Sequence, residues 1–324
     1  MPTGVYQIQF TDSPYATGTV FQTNAAQNFP GWAEIEPTEG NFDFSTIDKK
    51  ISAAKALGKK VGLTVAFLPD PPAWLSTKYG VTIYQVPHGS HGNVPWFNPW
   101  DPVAEPIMLQ AMAVLCQHED NLPPNKRADY MVIDGVGMVT ESYLPDLTII
   151  GENATSVVPK WTGSTGDVID TYGANLHNIY FVMACAPPIP GNANALAALQ
   201  NVVLAKESKW PLFSVANYGA NPNTNYQGGF VPNVLIHQFH LEGHFSGFQC
   251  STQNGIGPNY QGTLSAVQAC DGVYLESWTG DTKASSNADA IAAFNAAVAP
   301  GGKQVPMTMK DGRWIKKRLT ESKH

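Results

Sequence analysis

Strand-like and helix-like segments alternate along most of this 324-residue chain, and the alternation limits the folds open to it. Residues 59–67, KKVGLTVAF, form a nearly continuous apolar run of the kind buried on both faces of a parallel sheet. They follow residues 45–58, which predict a helix because their apolar residues recur every three or four positions. A strand, a helix and a further strand at this spacing indicate parallel strands joined by right-handed crossovers.

Eight segments have the length and composition of strands. They are residues 4–10, 18–23, 59–67, 129–137, 179–186, 212–218, 234–241 and 272–278. We therefore expect a single-domain α/β fold, a closed (β/α)8 TIM barrel with long βα loops, over residues 1–302, followed by a basic C-terminal tail at 303–324. The alternative is an open, doubly wound sheet, which is disfavoured because no GxGxxG turn follows the first strand.

The charge pattern argues against nucleic acid as a partner. Only 14% of residues are charged and the net charge is −7, whereas nucleic-acid binding requires clustered Lys and Arg. No apolar run is long enough to span a bilayer, and the first residues lack the basic start and apolar core of a signal peptide. We therefore expect a soluble protein. The sequence does not determine its location, and an extracellular location remains open.

The four cysteines form no CxxC pair, and no histidine pair stands near them at zinc-ligand spacing. Cys116 and Cys185 lie in apolar runs, which indicates buried thiols. Cys250 and Cys270 flank a loop rich in glycine and asparagine, so a disulfide between them is an open alternative to two free thiols. We expect neither a metal nor a cofactor.

Three glutamates follow apolar runs: Glu141, Glu242 and Glu276. The active groups of α/β barrels lie at the C-terminal ends of the strands, so each glutamate is a candidate catalytic residue. Each could instead cap a helix or pair with a distant basic residue. No basic residue lies close in sequence to Glu141 or Glu276, which favours the catalytic interpretation for these two.

Aromatic and polar side chains in loops and at strand ends are typical of a sugar-binding cleft. Aromatic faces mixed with Asn, Gln and His suit the alternating apolar faces and hydroxyl edges of saccharides. The alternative is that such tryptophans pack over the top of the barrel. The candidate substrate-binding residues are Trp74, Trp96, Trp100, Thr140, Tyr143, Asn217, His240 and Trp278, with Tyr218 beside them.

Residues 31–75, GWAEIEPTEGNFDFSTIDKKISAAKALGKKVGLTVAFLPDPPAWL, resemble the N-terminal half of clan A glycoside hydrolases, particularly the β-galactosidase-like members. The shared pattern is W-x-x-[IL]-E-P-x-x-G-x-[FY]-[DN], then a helix, G-K-x-V, a strand and P-x-W. The segments NPWDP, TESY and VYLESWTGD extend the similarity more loosely over most of the chain up to Val298. The resemblance implies a (β/α)8 barrel that hydrolyses glycosidic bonds.

Carried over by position, the resemblance implies that Glu141 in TESY is the acid/base residue at the end of the fourth strand. The family usually has Asn before this glutamate, whereas Thr140 stands here, which leaves substrate choice and activity open. The family's nucleophile follows the seventh strand. The strand count assigns that role to Glu242, whereas the sequence around Glu276, with Trp278 beside it, favours Glu276.

The implied reaction is retaining hydrolysis of a β-glycosidic bond in an oligo- or polysaccharide. One glutamic acid protonates the leaving oxygen while a carboxylate attacks the anomeric carbon, and water then breaks the glycosyl-enzyme. The alternative is a carbohydrate-binding barrel without turnover, with Thr140 as one sign of the loss.

Overall fold

In the computed structural model, eight parallel strands close into a barrel. The structure describes residues 1–88, 92–138, 141–225, 231–250 and 256–299, and the backbone of residues 307–310 and 313–316. Each strand is hydrogen-bonded to the next one along the chain, and the last pairs with the first. The barrel strands are β1 (Gly4–Ile8), β2 (Gly18–Gln22), β3 (Lys60–Thr64), β4 (Tyr130–Val132), β5 (Tyr180–Ala184), β6 (Phe213–Ala220), β7 (Ser246–Cys250) and β8 (Tyr274–Ser277).

Helices connect these strands, which confirms the predicted TIM barrel. They are α1 (Trp32–Ile35), α2 (Ser45–Ala56), α3 (Ala73–Tyr79), α4 (Ala104–Asn121), α5 (Ala154–Asn175), α6 (Ala193–Glu207), α7 (Val231–Leu241), α8 (Tyr260–Ala269), α9 (Thr279–Lys283) and α10 (Ala288–Val298). Within the described ranges, none of the helices combines the length and the apolar character needed to cross a bilayer.

Among the described residues, two hairpins stand apart from the barrel sheet. One pairs Tyr84–Pro87 with Asn93–Trp96 in the long loop after β3. The other pairs Met307–Lys310 with Arg313–Lys316 in the basic tail, and the rest of residues 300–324 lies outside the described part of the chain. The division between barrel and tail stays a prediction.

The centre of the barrel is filled by tyrosines that face glycines on neighbouring strands. Tyr6, Tyr130 and Tyr274 contact one another with ring centroids 5.2–6.1 Å apart. A Cβ atom at Gly62 would lie 2.4 Å from the ring of Tyr130, and one at Gly247 would lie 2.3 Å from the ring of Tyr274. Large and small residues therefore alternate across the strands, because only a residue without a side chain leaves room for a ring there.

The seventh strand is not the one that the sequence indicated. Residues 234–241 belong to α7, and β7 is the next segment along the chain. The buried apolar residues of α7, which are Leu235, Ile236 and Phe239, recur at helical spacing. A short apolar run does not distinguish a buried strand from a buried helix. The predicted number of strands is confirmed, but the assignment of the seventh was wrong.

All four cysteines are free and buried. Cys250 ends β7 at the C-terminal end of the barrel, whereas Cys270 precedes β8 at the opposite end. A strand rises about 3.3 Å per residue, so the two Cα atoms lie further apart than a disulfide allows. Of the two alternatives for this pair, the structure has separate thiols.

Candidate active site

Glu141 lies in the loop after β4, at the end of the barrel where the strands terminate. Its backbone forms an isolated parallel bridge with Ala184, the last residue of β5. The next residue, Ser142, donates from its N–H to Ala184 O at 3.1 Å and from its Oγ to Ala186 O at 2.5 Å. A Cβ atom at Gly137 would lie 2.0 Å from Glu141 O, so this glycine allows the loop to fold back tightly. The loop therefore holds Glu141 against β5.

Glu276 is in β8 and lies in the centre of the barrel, with a side chain that is 0% exposed. The hydroxyl of Tyr130 donates a hydrogen bond to its Oε1 at 2.6 Å. The other oxygen, Oε2, has no hydrogen-bond partner among the described residues. Burial raises the pKa of Glu276 to about 8, against a smaller lowering effect of the hydrogen bond. Glu276 is therefore mostly protonated near neutral pH and ionises above it.

Tyr218, in β6, interacts electrostatically with both Glu141 and Glu276. Burial raises the pKa of its phenol well above the usual value, and the charges of Glu276, Tyr274 and Glu141 raise it further. Its hydroxyl is buried and has no hydrogen-bond partner in the described part of the chain. Both carboxylates are therefore close enough to the Tyr218 hydroxyl for their charges to affect its pKa.

Tyr143 stands beside Glu141 in the same loop. Its hydroxyl and His88 Nε2 are 2.8 Å apart and share a hydrogen bond, and the two rings stack with centroids 6.3 Å apart. Burial and the charge of Glu141 raise the pKa of Tyr143 to about 12, so the phenol stays neutral. This pair joins the loop after β4 to the hairpin after β3.

Asp134 is a buried carboxyl group that the sequence analysis did not select. Its Oδ2 accepts hydrogen bonds from the N–H groups of Phe67 at 2.5 Å and Leu68 at 3.2 Å. Burial raises its pKa to about 8, and the charge of Glu141 adds to this effect. Asp134 therefore ties the end of β4 to the segment after β3, beneath the candidate site. The sequence feature that marks Asp134 is an aspartate followed by glycine directly after an apolar run.

Besides Tyr143, two further predicted binding residues lie at this end of the barrel. Trp278 directly follows β8, is half-buried, and donates from Nε1 to Cys250 O at 3.3 Å. Asn217, in β6, is buried and donates from Nδ2 to Asn233 Oδ1 at 2.8 Å, which fastens β6 to the start of α7. Thr140 lies outside the described residues.

The other predicted tryptophans are engaged in packing to different degrees. Trp96 is 0% exposed, so its ring lies in the core and does not reach solvent. Trp74 is half-buried, donates from Nε1 to Glu36 O at 3.0 Å, and meets Trp32 edge-on with centroids 6.0 Å apart. Trp100 is also half-buried against the core. Of these three tryptophans, Trp74 and Trp100 are partly exposed to solvent.

His240 and Glu242 lie at the opposite end of the barrel. His240 belongs to α7, and its Nε2 is 4.0 Å from the carboxylate of Asp271, which precedes β8. Glu242 directly follows α7, is exposed, and interacts with Glu207 at the end of α6. A helix that leads into β7 ends near the N-terminal ends of the strands. The strand interpretation of residues 234–241 was wrong, so neither residue belongs to the candidate site.

The end of β7, where the resemblance implies a nucleophile, carries no carboxylate. The sequence from 243 to 270 contains neither Asp nor Glu. Gln249 of β7 stands beside Glu276 of β8 in parallel register, and neighbouring strands lie about 4.8 Å apart. The second candidate carboxylate is therefore displaced by one strand from the position that the family pattern implies.

The N-terminal part of the chain matches a known family. Residues 21–95 match the family model Glyco_hydro_42, described as Beta-galactosidase. The matched region runs from β2 to the hairpin after β3 and includes the GWAEIEP segment. No curated protein sequence matches the chain.

Solved structures share the fold over most of the chain. An intracellular xylanase from Thermoanaerobacterium saccharolyticum has a TM-score of 0.52 at 12% identity, and the similarity covers 85% of both chains. A beta-galactosidase from Halorubrum lacusprofundi has a TM-score of 0.52 at 12% identity, covering 92% of this chain and 58% of its own. A beta-galactosidase from Marinomonas ef1 has a TM-score of 0.52 at 9% identity, and the similarity covers 93% of this chain and 61% of that protein. At such low identity these similarities establish the fold alone.

The family match and the closed barrel confirm the predicted resemblance to clan A glycoside hydrolases with a (β/α)8 barrel. The match of residues 21–95 to the family model supports glycoside hydrolase as the class of this enzyme. The substrate and the roles of individual residues lie beyond that similarity.

Proposed function

We propose that this chain hydrolyses a β-glycosidic bond in an oligo- or polysaccharide, with Glu141 as the proton donor and Glu276 as the second carboxylate. The supporting observation is the buried phenol of Tyr218, whose pKa both carboxylates raise. In a poorly hydrated site charges act on one another more strongly than in water, and the interaction weakens with distance. Their shared effect on Tyr218 favours a position for both carboxylates close to β6.

Glu141 suits the proton donor because its position is held from several sides. A general acid must reach the leaving oxygen from a defined place. The bridge to Ala184 holds its backbone, and Tyr143 flanks its side chain with a ring that His88 orients. The same ring offers an apolar face on which a sugar can stack.

Glu276 suits the nucleophile once it is ionised. Its Oε1 accepts the hydrogen bond of Tyr130, so Oε2 is the atom that attacks the anomeric carbon. As this bond forms, the bond to the leaving oxygen breaks and Glu141 transfers its proton to that oxygen. Water then attacks the glycosyl-enzyme while Glu141 takes a proton back, and this releases the sugar and Glu276. Because the pKa of Glu276 is about 8, activity on a nitrophenyl glycoside, whose leaving group needs no proton from Glu141, should rise as the pH passes from neutral to alkaline.

The second candidate function is binding of a carbohydrate without turnover. The absence of any carboxylate at the end of β7 favours it, as does the complete burial of Glu276. An unsolvated, protonated carboxyl group is a poor nucleophile. In that case the aromatic residues around Glu141 would bind a saccharide that no second carboxylate reaches.

Kinetics on nitrophenyl β-glycosides and β-linked polysaccharides test the proposal. With polysaccharide, Glu141→Gln should lower turnover by about 10²–10⁴-fold. The loss should be smaller with a nitrophenyl leaving group, because nitrophenolate departs without a proton. Glu276→Gln should abolish turnover on both substrates. Glu242→Gln is the matched control, an exposed glutamate at the far end of the barrel, and it should leave the rates unchanged.

The stereochemistry of the product separates the remaining possibilities. Proton NMR of the first product should show retention of the anomeric configuration, and a fluorinated glycoside should label Glu276. Full activity in Glu141→Gln or Glu276→Gln would contradict the assignment. Saccharide binding in calorimetry, with no turnover by the wild type, would establish the binding function instead.

A further inference from the structure

A second group of titratable side chains lies outside the barrel, between α2 and α4. Asp48 comes from α2, and His118 and Glu119 are adjacent near the end of α4. His118 Nε2 and Asp48 Oδ1 are 2.8 Å apart. One ligand atom from each of the three residues lies within 4.8 Å of the others. The proposed hydrolysis uses none of them.

Glu119 has a buried oxygen that its structural role does not explain. The side chain is 0% exposed, and Oε2 accepts a hydrogen bond from the N–H of Ala128 at 3.0 Å. Oε1 is buried without a hydrogen-bond partner among the described residues. Such an oxygen costs free energy, because it has lost water and gained no partner. Holding the loop at Ala128 accounts for Oε2 alone.

The imidazole of His118 is held in position and remains accessible. Its ring stacks on Phe44 with centroids 4.2 Å apart and an interplanar angle of 22°. The side chains of His118 and Asp48 are 25% and 39% exposed, so the group opens to solvent. His118 lies in the last turn of α4, where the helix dipole favours a bound cation.

Two basic residues near Glu119 are turned toward other acceptors. Lys55 Nζ binds Asp129 Oδ2 at 2.6 Å. Arg127 Nη1 donates to the backbone oxygen of Asp120 at 3.3 Å. Their charge weakens the attraction for a metal ion, but neither occupies the position beside Glu119 Oε1 in the described part of the chain.

We propose that Asp48, His118 and Glu119 bind a divalent cation of the zinc type and so brace α2 against α4. One imidazole nitrogen and two carboxylate oxygens are ligands that Zn²⁺ accepts, with water completing a tetrahedral shell. Bond lengths of about 2.0–2.2 Å place such ligand atoms about 3.4 Å apart. His118 Nε2 and Asp48 Oδ1, which are 2.8 Å apart, must therefore separate slightly, and wider gaps within the group, at most 4.8 Å, must close. A rotamer change of the partly exposed Asp48 allows this adjustment while His118 stays in place.

The test uses the full chain without a histidine tag, stripped of metal by a chelator. Zn²⁺ is titrated by calorimetry and by thermal melting, and Co²⁺ serves as a spectroscopic probe of the coordination shell. We expect one Zn²⁺ per chain and a Tm that rises to saturation. Glu119→Gln and His118→Gln should each weaken binding by at least about tenfold. Asp48→Asn, at a partly exposed position, keeps the test decisive if Glu119→Gln does not fold.

His244→Gln is the matched control. His244 also faces a carboxylate, that of Glu207 at 3.4 Å, and its replacement should leave Zn²⁺ binding unchanged. The proposal is overturned if the wild type binds no Zn²⁺ or if binding persists at full affinity in all the cluster variants. Loss of binding in His240→Gln instead, or equal affinity for Mg²⁺, would also overturn it.

Discussion

Replacing Tyr130 with phenylalanine tests how the barrel controls Glu276. The change removes the hydroxyl that donates to Glu276 Oε1 at 2.6 Å. It keeps the ring, which packs against Tyr6 and Tyr274 with centroids 5.3 Å and 5.2 Å away. The loss of a hydrogen bond is therefore separated from a loss of packing.

The size of the effect follows from the strength of that bond. A hydrogen bond to a charged group contributes about 1.5–3 kcal/mol, and one pH unit corresponds to about 1.4 kcal/mol. Because the bond favours ionised Glu276, its loss should raise the pKa of that group. The alkaline rise in activity should therefore move upward by about one to two pH units. At neutral pH, Tyr130→Phe should be about 10- to 100-fold less active than the wild type.

The assay is kcat/KM on a nitrophenyl β-glycoside across the neutral and alkaline range, with circular dichroism to verify folding. Tyr6→Phe is the control, because the Tyr6 hydroxyl has no hydrogen-bond partner among the described residues. It should leave the midpoint of the pH profile in place. A midpoint that stays or falls in Tyr130→Phe would refute the claim that ionised Glu276 limits the reaction.

Three further predictions concern stability, measured by denaturant titration. Folded Glu276 keeps its proton up to about pH 8, whereas the unfolded chain releases it at lower pH, so wild-type stability falls as the pH rises. In Glu276→Gln this slope should be shallower by up to about 1.4 kcal/mol per pH unit. Gly247→Ala should cost about 1–3 kcal/mol, because its Cβ would lie 2.3 Å from a tyrosine ring. Gly163→Ala, inside α5 with no other described group within 4 Å, should instead stabilise by about 1 kcal/mol. Asp134→Ala should cost about 2–4 kcal/mol by leaving two backbone N–H groups unpartnered, and Asp134→Asn, which keeps an acceptor, should cost less.

Most of the fold could be predicted from local pattern. Helix α2 follows from apolar residues at helical spacing, and β3 follows from a continuous apolar run. The seventh strand could not be predicted in this way. Gly247 weakens the strand pattern of β7, and the reason for that glycine is the ring of Tyr274 on the neighbouring strand. The apolar content of residues 234–241 is compatible with a strand or a helix, and these residues form a helix whose apolar side chains pack in the core.

The candidate site was partly visible in the sequence. Glu141 and Glu276 could be selected because acidic residues after apolar runs are uncommon in this chain. Asp134 could not be distinguished from a turn residue, although its carboxyl group supports the segment after β3. Glu242 was selected only because α7 resembled a strand.

The sequence by itself determined which segments bury an apolar face, because that property depends on residues a few positions apart. It did not determine which side chains meet in the centre of the barrel. Tyr130 and Glu276 are 146 positions apart, and only closure of the strand ring brings the hydroxyl to the carboxylate. The raised pKa of Glu276 has the same origin, since its lost hydration comes from strands that are distant along the chain and adjacent in space.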